Sequence, residues 1–456
     1  MCGFLLYDPE GKELDAELIM DLKSTLEHRG LETNVVYNKR ILAIHSTLPM
    51  TSLDQGEYFQ PMERPVKWGP DFLAMFTGEI FNWKELKEQY DLDSANDSEL
   101  FVDLTLKSVK NDKFLDLLHQ MDGFWNFAGV AGDDMFAVTD YLSQKPLYYR
   151  TDMQAICSEP FPLSLLGPTT KDRLFYSSIP KFGYDVTGAT AWNEIKQMPA
   201  GSFYENGKIK PYWSWDKVAD VPLNQAIGKS VAYRLEGKRE PAILLSGGLD
   251  SSIIYHHAKM IKPDIKVFHV ENGEEEYVKM LTNDYTKVDL SEFTVTKTDA
   301  IRRNQTPVDL GSVVPQAQLA DALHQQHLHV VLSGDGADEL FSGYGRNEYY
   351  DSQYSDIFQE LPYYHNPRLD RIMMGSVVEL RAPFLAPYIV KQALTLDFDK
   401  RKNKSVLKGL YDGILPDKIL YRKKEALKTE EVKKKSTRDN VLENIKIFDS
   451  IFWEDK

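Results

Sequence analysis

Apolar and polar positions follow two different rhythms along the chain. Through the first 210 residues, short apolar runs are bounded by Gly, Asp or Asn. They read as strands at 4–7, 41–44, 72–76, 124–130, 135–139 and 146–149. Residues 18–26 and 98–106 place apolar side chains at helical spacing. This mixture predicts an antiparallel α+β domain. From about Leu223 the rhythm changes to strand and helix in turn. Residues 242–245 form a short apolar run that ends in a Gly-rich polar segment, and a helix follows at 253–260. Further strands are predicted at 265–270 and 330–333, with a helix at 317–326 feeding the second. Strands alternating with helices predict a parallel sheet, and ligands of such sheets sit at the carboxyl ends of the strands. Two polar clusters, 246–252 and 333–339, lie at such ends. The Lys-rich stretch 400–438 reads as a solvated helical face.

A chain of 456 residues is long enough for two or three domains, and the change of rhythm divides it into 1–210 and 211–456. Hydrophobic residues make up 42% and charged residues 27%, which excludes a collagen-like, coiled-coil or largely disordered chain. The 54 basic and 69 acidic side chains leave a net charge of −15. That balance disfavours non-specific nucleic-acid binding, which depends on Lys and Arg against phosphates. It leaves room for a local site that takes a phosphate-bearing ligand. The only cysteines are Cys2 and Cys157, too few for a disulfide framework, so the cytoplasm is the expected compartment. No apolar run approaches the roughly 20 residues of a membrane span, and the acidic start does not resemble a signal peptide. A homodimer is expected only because paired copies are the commonest assembly.

Three segments carry chemistry. The first is Ser246-Gly247-Gly248-Leu249-Asp250-Ser251-Ser252. Its glycines let the backbone turn tightly and approach an anion, and the following helix presents free N–H groups to it. Serine hydroxyls add donors. Asp250 would repel phosphate unless it holds Mg²⁺, a hard cation suited to carboxylate and phosphate oxygens. A pyrophosphate-binding loop is the reading, and the Walker pattern is absent. The second is Ser333-Gly334-Asp335-Gly336-Ala337-Asp338-Glu339, where carboxylates again follow a strand and Gly334 and Gly336 allow close approach. The third is Cys2. Loss of Met1 would leave an N-terminal cysteine whose α-amine can act as base for its own thiol, although an early cysteine is by itself ordinary. Cys157 is expected to be a small core residue. His324, His327 and His329 straddle a helix end and a strand start, so their rings are not expected to converge on a metal.

The first segment resembles the PP-loop of ATP pyrophosphatases, and residues 331–344 resemble the signature of asparagine synthetases. Cys2-Gly3 is followed by His28-Arg29-Gly30, Thr77-Gly78-Glu79, Asn96-Asp97-Ser98-Glu99, Asp140 with Lys145, and Ser158-Glu159. That order resembles the class II glutamine amidotransferases, whose nucleophile is N-terminal. Further matches are Glu379-Leu380-Arg381-Ala382-Pro383-Phe384-Leu385 and Tyr421-Arg422-Lys423-Lys424-Glu425. Taken together, the chain is similar to glutamine-hydrolysing asparagine synthetases.

The resemblance implies an α+β N-terminal-nucleophile sandwich followed by an α/β PP-loop domain. It implies ATP and Mg²⁺, with glutamine or ammonia and aspartate or another carboxylate as small-molecule substrates. Cys2 would attack the glutamine amide, with Gly78, Glu79 and Asp97 holding glutamine. The ammonia would pass between the domains to an acyl-adenylate. Ser246, Gly247, Gly248, Asp250 and Ser251 would hold pyrophosphate, and Leu245, Val270, Ser333 and Gly334 would line the nucleotide. Asp250 and Asp338 would hold Mg²⁺, Lys424 would offset charge on the leaving pyrophosphate, and Asp335 would take a proton from ammonia. Thr77 stands where the family has an oxyanion-donating Asn, and Thr47 where it has an Arg that grips the glutamine carboxylate. Two alternatives stay open: a related ligase or cyclase that adenylates a different carboxylate, and a non-catalytic scaffold.

Overall fold

The structure is a computed structural model and describes residues 2–50, 60–64, 72–109, 113–215, 221–271, 273–308, 311–344, 356–422 and 436–453. Two six-stranded antiparallel sheets make the first half. One runs in the spatial order Ile195–Gln197, Tyr148–Arg150, Ala155–Cys157, Gly3–Tyr7, Leu42–Thr47, Glu32–Tyr37. The other runs Lys208–Pro211, Ser202–Glu205, Asp134–Thr139, Gly123–Ala131, Phe72–Ile80, Met62–Arg64. Phe4, Leu6 and Ala43 of the first pack against Met75, Ala128 and Ala137 of the second, which makes a sandwich core.

Strand alternation explains why Gly3–Tyr7 is apolar at every position but the first. Phe4 and Leu6 point into the sandwich, while Leu5 and Tyr7 point to a second core with Leu22 and Leu26. That second core also takes Val441, Phe448 and Phe452 of the helix Thr437–Phe452. The end of the chain therefore returns to the first half, where Trp192 and Phe448 meet with ring centroids 5.4 Å apart.

The second half is built on a five-stranded parallel sheet, in the order Thr286–Val288, Lys266–Val270, Pro241–Leu244, Val330–Leu332, Glu379–Arg381. The chain starts in the middle, moves outward one way, then crosses to the other side of its first strand. Strand order thus reverses between Pro241–Leu244 and Val330–Leu332, where a parallel sheet opens its ligand crevice.

Several predicted elements shift in extent. The helix expected at 253–260 spans Leu249–Ile261 and so begins inside the Ser-Gly-Gly loop. Glu32–Tyr37, an exposed and half-buried strand, lacks the apolar signal because it lies at a sheet edge. The described residues 400–422 are not the single solvated helical face expected of the stretch 400–438. Its described part breaks into Phe398–Arg401, Ser405–Leu410 and Asp417–Leu420, and Lys404 is buried between two carboxylates. Asn403 and Lys404, at φ +53° and +58°, form the left-handed corner that turns this lysine inward.

Candidate functional site

Cys2 lies just ahead of the strand Gly3–Tyr7 and is 5% exposed. The Leu48 N–H points at its Sγ, 3.4 Å away. Burial pushes the thiol up, so it attacks only when a base takes its proton. Gly78 and Glu79 sit on Phe72–Ile80 of the facing sheet. Gly78 has φ +124°, and an added Cβ would stand 2.0 Å from the Phe124 carbonyl, so only glycine fits there. Asp97 begins the helix Asp97–Val109, and its Oδ2 accepts from the Ile80 N–H at 3.1 Å. Burial, then Asp97 and Glu379, push the Glu79 carboxyl well up, while Arg381 at 3.9 Å pulls the other way. Cys2 feels both Glu79 and Lys145. Of the expected glutamine-binding residues, Glu79 lies close enough to act on the Cys2 thiol, and Gly78 adjoins it on the same strand.

The two threonines at substituted positions are already engaged. Thr77 donates its hydroxyl to Asn126 Oδ1 at 2.5 Å, while Asn126 Nδ2 donates to the Pro146 carbonyl at 3.0 Å. Thr47 Oγ1 lies 2.8 Å from His45 Nδ1, and His45 Nε2 lies 3.0 Å from the Phe76 carbonyl. Burial pulls His45 down to about 4, so it is neutral at physiological pH.

At the other site, the Ser-Gly-Gly loop closes on itself. Ser246 Oγ and Ser251 Oγ are 3.0 Å apart, the Gly248 N–H donates to Ser246 Oγ at 3.3 Å, and Ser252 Oγ donates to the Gly248 carbonyl at 2.7 Å. Leu245 is anchored in the sheet by its N–H on the Phe268 carbonyl at 2.8 Å. Val270 closes the neighbouring strand on the same edge. The second loop presses against the first. A Cβ on Gly334 would stand 2.7 Å from Asp250 Cβ and 2.8 Å from the Ser251 nitrogen. The Ser333 N–H donates to the Arg381 carbonyl at 3.0 Å, and its hydroxyl donates to Asp335 Oδ2 at 2.6 Å.

Asp250 and Asp338 converge on one point, occupied by the Lys404 ammonium at 2.5 and 2.6 Å. Asp250 Oδ1 is buried and has no hydrogen-bond partner among the described residues. Two carboxylates meeting at one point with a spare oxygen fit a divalent cation. Lys424 lies outside the described residues. Sequence reasoning assigned no role to Arg422, whose Nη1 donates to the Gly247 carbonyl at 3.2 Å. Its guanidinium lies 4.1 Å above the Tyr277 ring and pairs with Glu274. It braces the loop from the outside.

A buried charge network joins the two halves beside Cys2, and sequence reasoning missed it. Arg29 Nη1 donates to Glu159 Oε1 and Nη2 to Asp370 Oδ2, both at 2.7 Å, while its Nε reaches the Cys2 carbonyl at 3.3 Å. Lys145 also pairs with Asp370, and Gln305 donates to Glu159. Asp370 lies on the helix Asn366–Met374 of the second half. A cavity of about 20 Å³, lined by Phe124, Lys145, Asp370, Leu380 and Leu385, sits beside the network.

The two halves match two known families. Residues 1–213 match the glutamine amidotransferase domain, and residues 222–353 and 345–446 match asparagine synthase. The fold and its paired sites thus define an amidotransferase domain joined to a synthase domain. Named relatives carry both halves. The chain is 24% identical to the probable glutamine-hydrolysing asparagine synthetase of Acanthamoeba polyphaga mimivirus, over 93% of this chain and 84% of that one. It is 25% identical to asparagine synthetase B of Escherichia coli, over 89% and 78%. It is 22% identical to asparagine synthetase 3 of Bacillus subtilis, over 93% and 86%. The chain belongs to the glutamine-hydrolysing asparagine synthetase family. Among the described residues, no helix is long and apolar enough to cross a membrane.

Proposed function

We propose that this protein makes asparagine from aspartate, ATP and a nitrogen donor, releasing AMP and pyrophosphate. The observation that carries the reading is the meeting of the loops 246–252 and 333–339 at the crevice of the parallel sheet, with Asp250 and Asp338 aimed at one point. Residues 1–210 form an N-terminal-nucleophile amidotransferase domain and residues 211–456 a PP-loop synthetase domain.

The aspartate side-chain carboxylate attacks the α-phosphorus of ATP. The bond to the bridging oxygen breaks, pyrophosphate leaves, and an acyl-adenylate remains. Ser246, Gly247, Gly248 and Ser251 cradle the departing pyrophosphate with hydroxyl and backbone N–H donors. Magnesium held by Asp250 and Asp338 would offset charge on the phosphates. Leu245, Val270 and Gly334 line the nucleoside, with Ser333 beside them, and Lys424 supplies a further positive charge to the pyrophosphate. Ammonia then attacks the acyl carbon, AMP leaves with the bonding electrons, and Asp335 takes the surplus proton.

In the first half, Cys2 attacks the glutamine amide to give a thioester and ammonia, and water later frees glutamate. Gly78, Glu79 and Asp97 position the glutamine. The cavity beside Lys145 and Asp370 supports passage of ammonia between the halves, since about 20 Å³ admits one molecule of that size.

The test is AMP, pyrophosphate and asparagine formation from MgATP and aspartate, with glutamine or ammonium, on wild type and Cys2→Ala. Glutamine-dependent synthesis that Cys2→Ala abolishes while ammonium-dependent synthesis survives supports the reading. No pyrophosphate with aspartate and either nitrogen source overturns it. A related ligase that adenylates a different carboxylate and uses a different amine is the second reading, and the engaged hydroxyls of Thr47 and Thr77 favour it over a standard glutamine pocket.

A further inference from the structure

Lys404 is a buried lysine that faces two carboxylates. It is 7% exposed, it lies 154 residues from Asp250, and its left-handed backbone delivers its side chain into the crevice. Its N–H donates to the Phe341 carbonyl at 3.0 Å, and the Asn403 N–H donates to the Ser342 carbonyl at 3.1 Å, so the corner is locked to the loop that carries Asp338. Gly343 leaves the channel for it. A Cβ there would stand 2.0 Å from Asp338 Oδ1 and 2.3 Å from Lys404 Cε. The ammonium sits where the two carboxylates converge, the position a divalent cation would take.

We infer that Lys404 is a resident counter-ion that keeps free divalent metal out of the crevice and yields its place only when nucleotide phosphate arrives. An ammonium and a magnesium ion cannot share the point between Asp250 and Asp338. Metal alone must displace the ammonium and leave a buried lysine without its partners, which is strongly unfavourable. Metal arriving with a polyphosphate brings its own anion. The displaced ammonium then swings to a phosphate oxygen and keeps a charge-assisted hydrogen bond. Lys404 is thus a positioning residue that makes metal and polyphosphate bind together, and it neutralises the carboxylates in the empty enzyme. By linkage, the coupling acts equally on both ligands.

This inference rests on the ATP reading above, and the experiment separates the two. Mn²⁺ alone is titrated by electron paramagnetic resonance, and α,β-methylene-ATP with Mg²⁺ by calorimetry, on wild type and Lys404→Met. In the variant, Mn²⁺ alone should bind roughly 10-fold more tightly or better, because nothing competes for the carboxylates. The Mg²⁺ complex of the analogue should bind roughly 10- to 100-fold more weakly, as expected for one lost charge-assisted bond. Opposite signs are the mark of a counter-ion, since a merely structural ion pair would weaken both. Unchanged or weaker Mn²⁺ binding in the variant overturns the inference even where the analogue binds wild type well. Failure of wild type to bind the analogue overturns the ATP reading and this inference with it. If Lys404→Met does not fold, Lys404→Gln, whose amide can still donate to one carboxylate, carries the same pair of expectations.

Discussion

Replacing Asp370 by Asn tests whether the two halves are held by charge at their junction. Asp370 is almost wholly enclosed, with a side chain 1% exposed, and it accepts from Arg29 Nη2 at 2.7 Å while pairing with Lys145. Burial works against all three charged forms. It pulls the Lys145 ammonium down, and Asp370 partly restores it. For Asp370 burial would push the carboxyl up, but Arg29 and Lys145 hold it below the usual carboxylate range. Asn keeps the shape and removes the charge. Arg29 keeps Glu159, but the buried Lys145 loses the carboxylate it pairs with and keeps only the more distant Glu379. Breaking a buried pair from one side costs about 3–5 kcal/mol. For a unit of 150–250 residues each kcal/mol shifts the melting midpoint by about 2–4 °C, so the expected fall is roughly 6–20 °C. Lys84→Ala is the control, because Lys84 and Glu236 pair in the open, with side chains 65% and 47% exposed. It should cost under about 1 kcal/mol. Scanning calorimetry supplies both numbers. A second arm is the double change Lys145→Met with Asp370→Leu, which removes the charges together. It should recover much of the loss, because apolar groups of similar volume often replace a buried pair without penalty. Glutamine-dependent synthesis should fall more than ammonium-dependent synthesis in Asp370→Asn, since Arg29 also touches the Cys2 carbonyl. A midpoint within about 1 °C of wild type would refute the argument, because so small a shift corresponds to only a fraction of a kcal/mol.

Three further expectations follow from the same geometry. Cys2→Ala should leave ammonium-dependent synthesis within a factor of about two while glutamine yields no asparagine, because the nucleophile acts only in the first half-reaction. Gly334→Ala forces a Cβ to within 2.7 Å of Asp250, so it should lower kcat/KM for ATP by roughly 10-fold or more through about 1–3 kcal/mol of crowding, with glutaminase activity unchanged. Glu159 gives a pH signature. Burial alone would raise it, but His28 and Arg29 hold it at about 2. Its depressed value stabilises the fold above the unfolded carboxylate range, and that contribution is lost as pH falls from about 4.5 toward 2. Glu159→Gln should therefore be less stable at pH 7 by about 3 kcal/mol, with a flatter stability profile in that window. Equal slopes in urea titrations of the two proteins would contradict it.

Much of the protein is legible in its linear order. Segments whose meaning is local were read correctly from the chain. The run of residues 242–245 into a Gly-Gly turn and a helix specifies a strand, a tight loop and a helix within two dozen positions. The strand before the second Gly-rich cluster was legible in the same way. Short apolar runs, continuous on buried strands, showed several strands of the first half because the residues of each strand carry their own pattern. The short strand Glu379–Arg381 stayed hidden, since three residues give no periodicity, and only its parallel neighbour Val330–Leu332 makes it a strand.

What the linear order cannot express is which charge answers which. Asp370 and Arg29 are 341 residues apart, and Lys404 and Asp250 are 154 apart. No spacing rule links such positions, because an ion pair is set by where two backbones stop and not by the intervening chain. Lys404 read as one more solvated lysine in a basic stretch, and only a left-handed corner, locked to the loop of Asp338, turns it inward. Likewise, Thr47 and Thr77 are visible in the sequence as substitutions, but their commitment to His45 and Asn126 exists only where two sheets face each other. The chemistry available to this protein was settled by residue type and local spacing. Which charges face which, and what therefore enters each site, was decided by packing that brings distant segments to the same few ångströms.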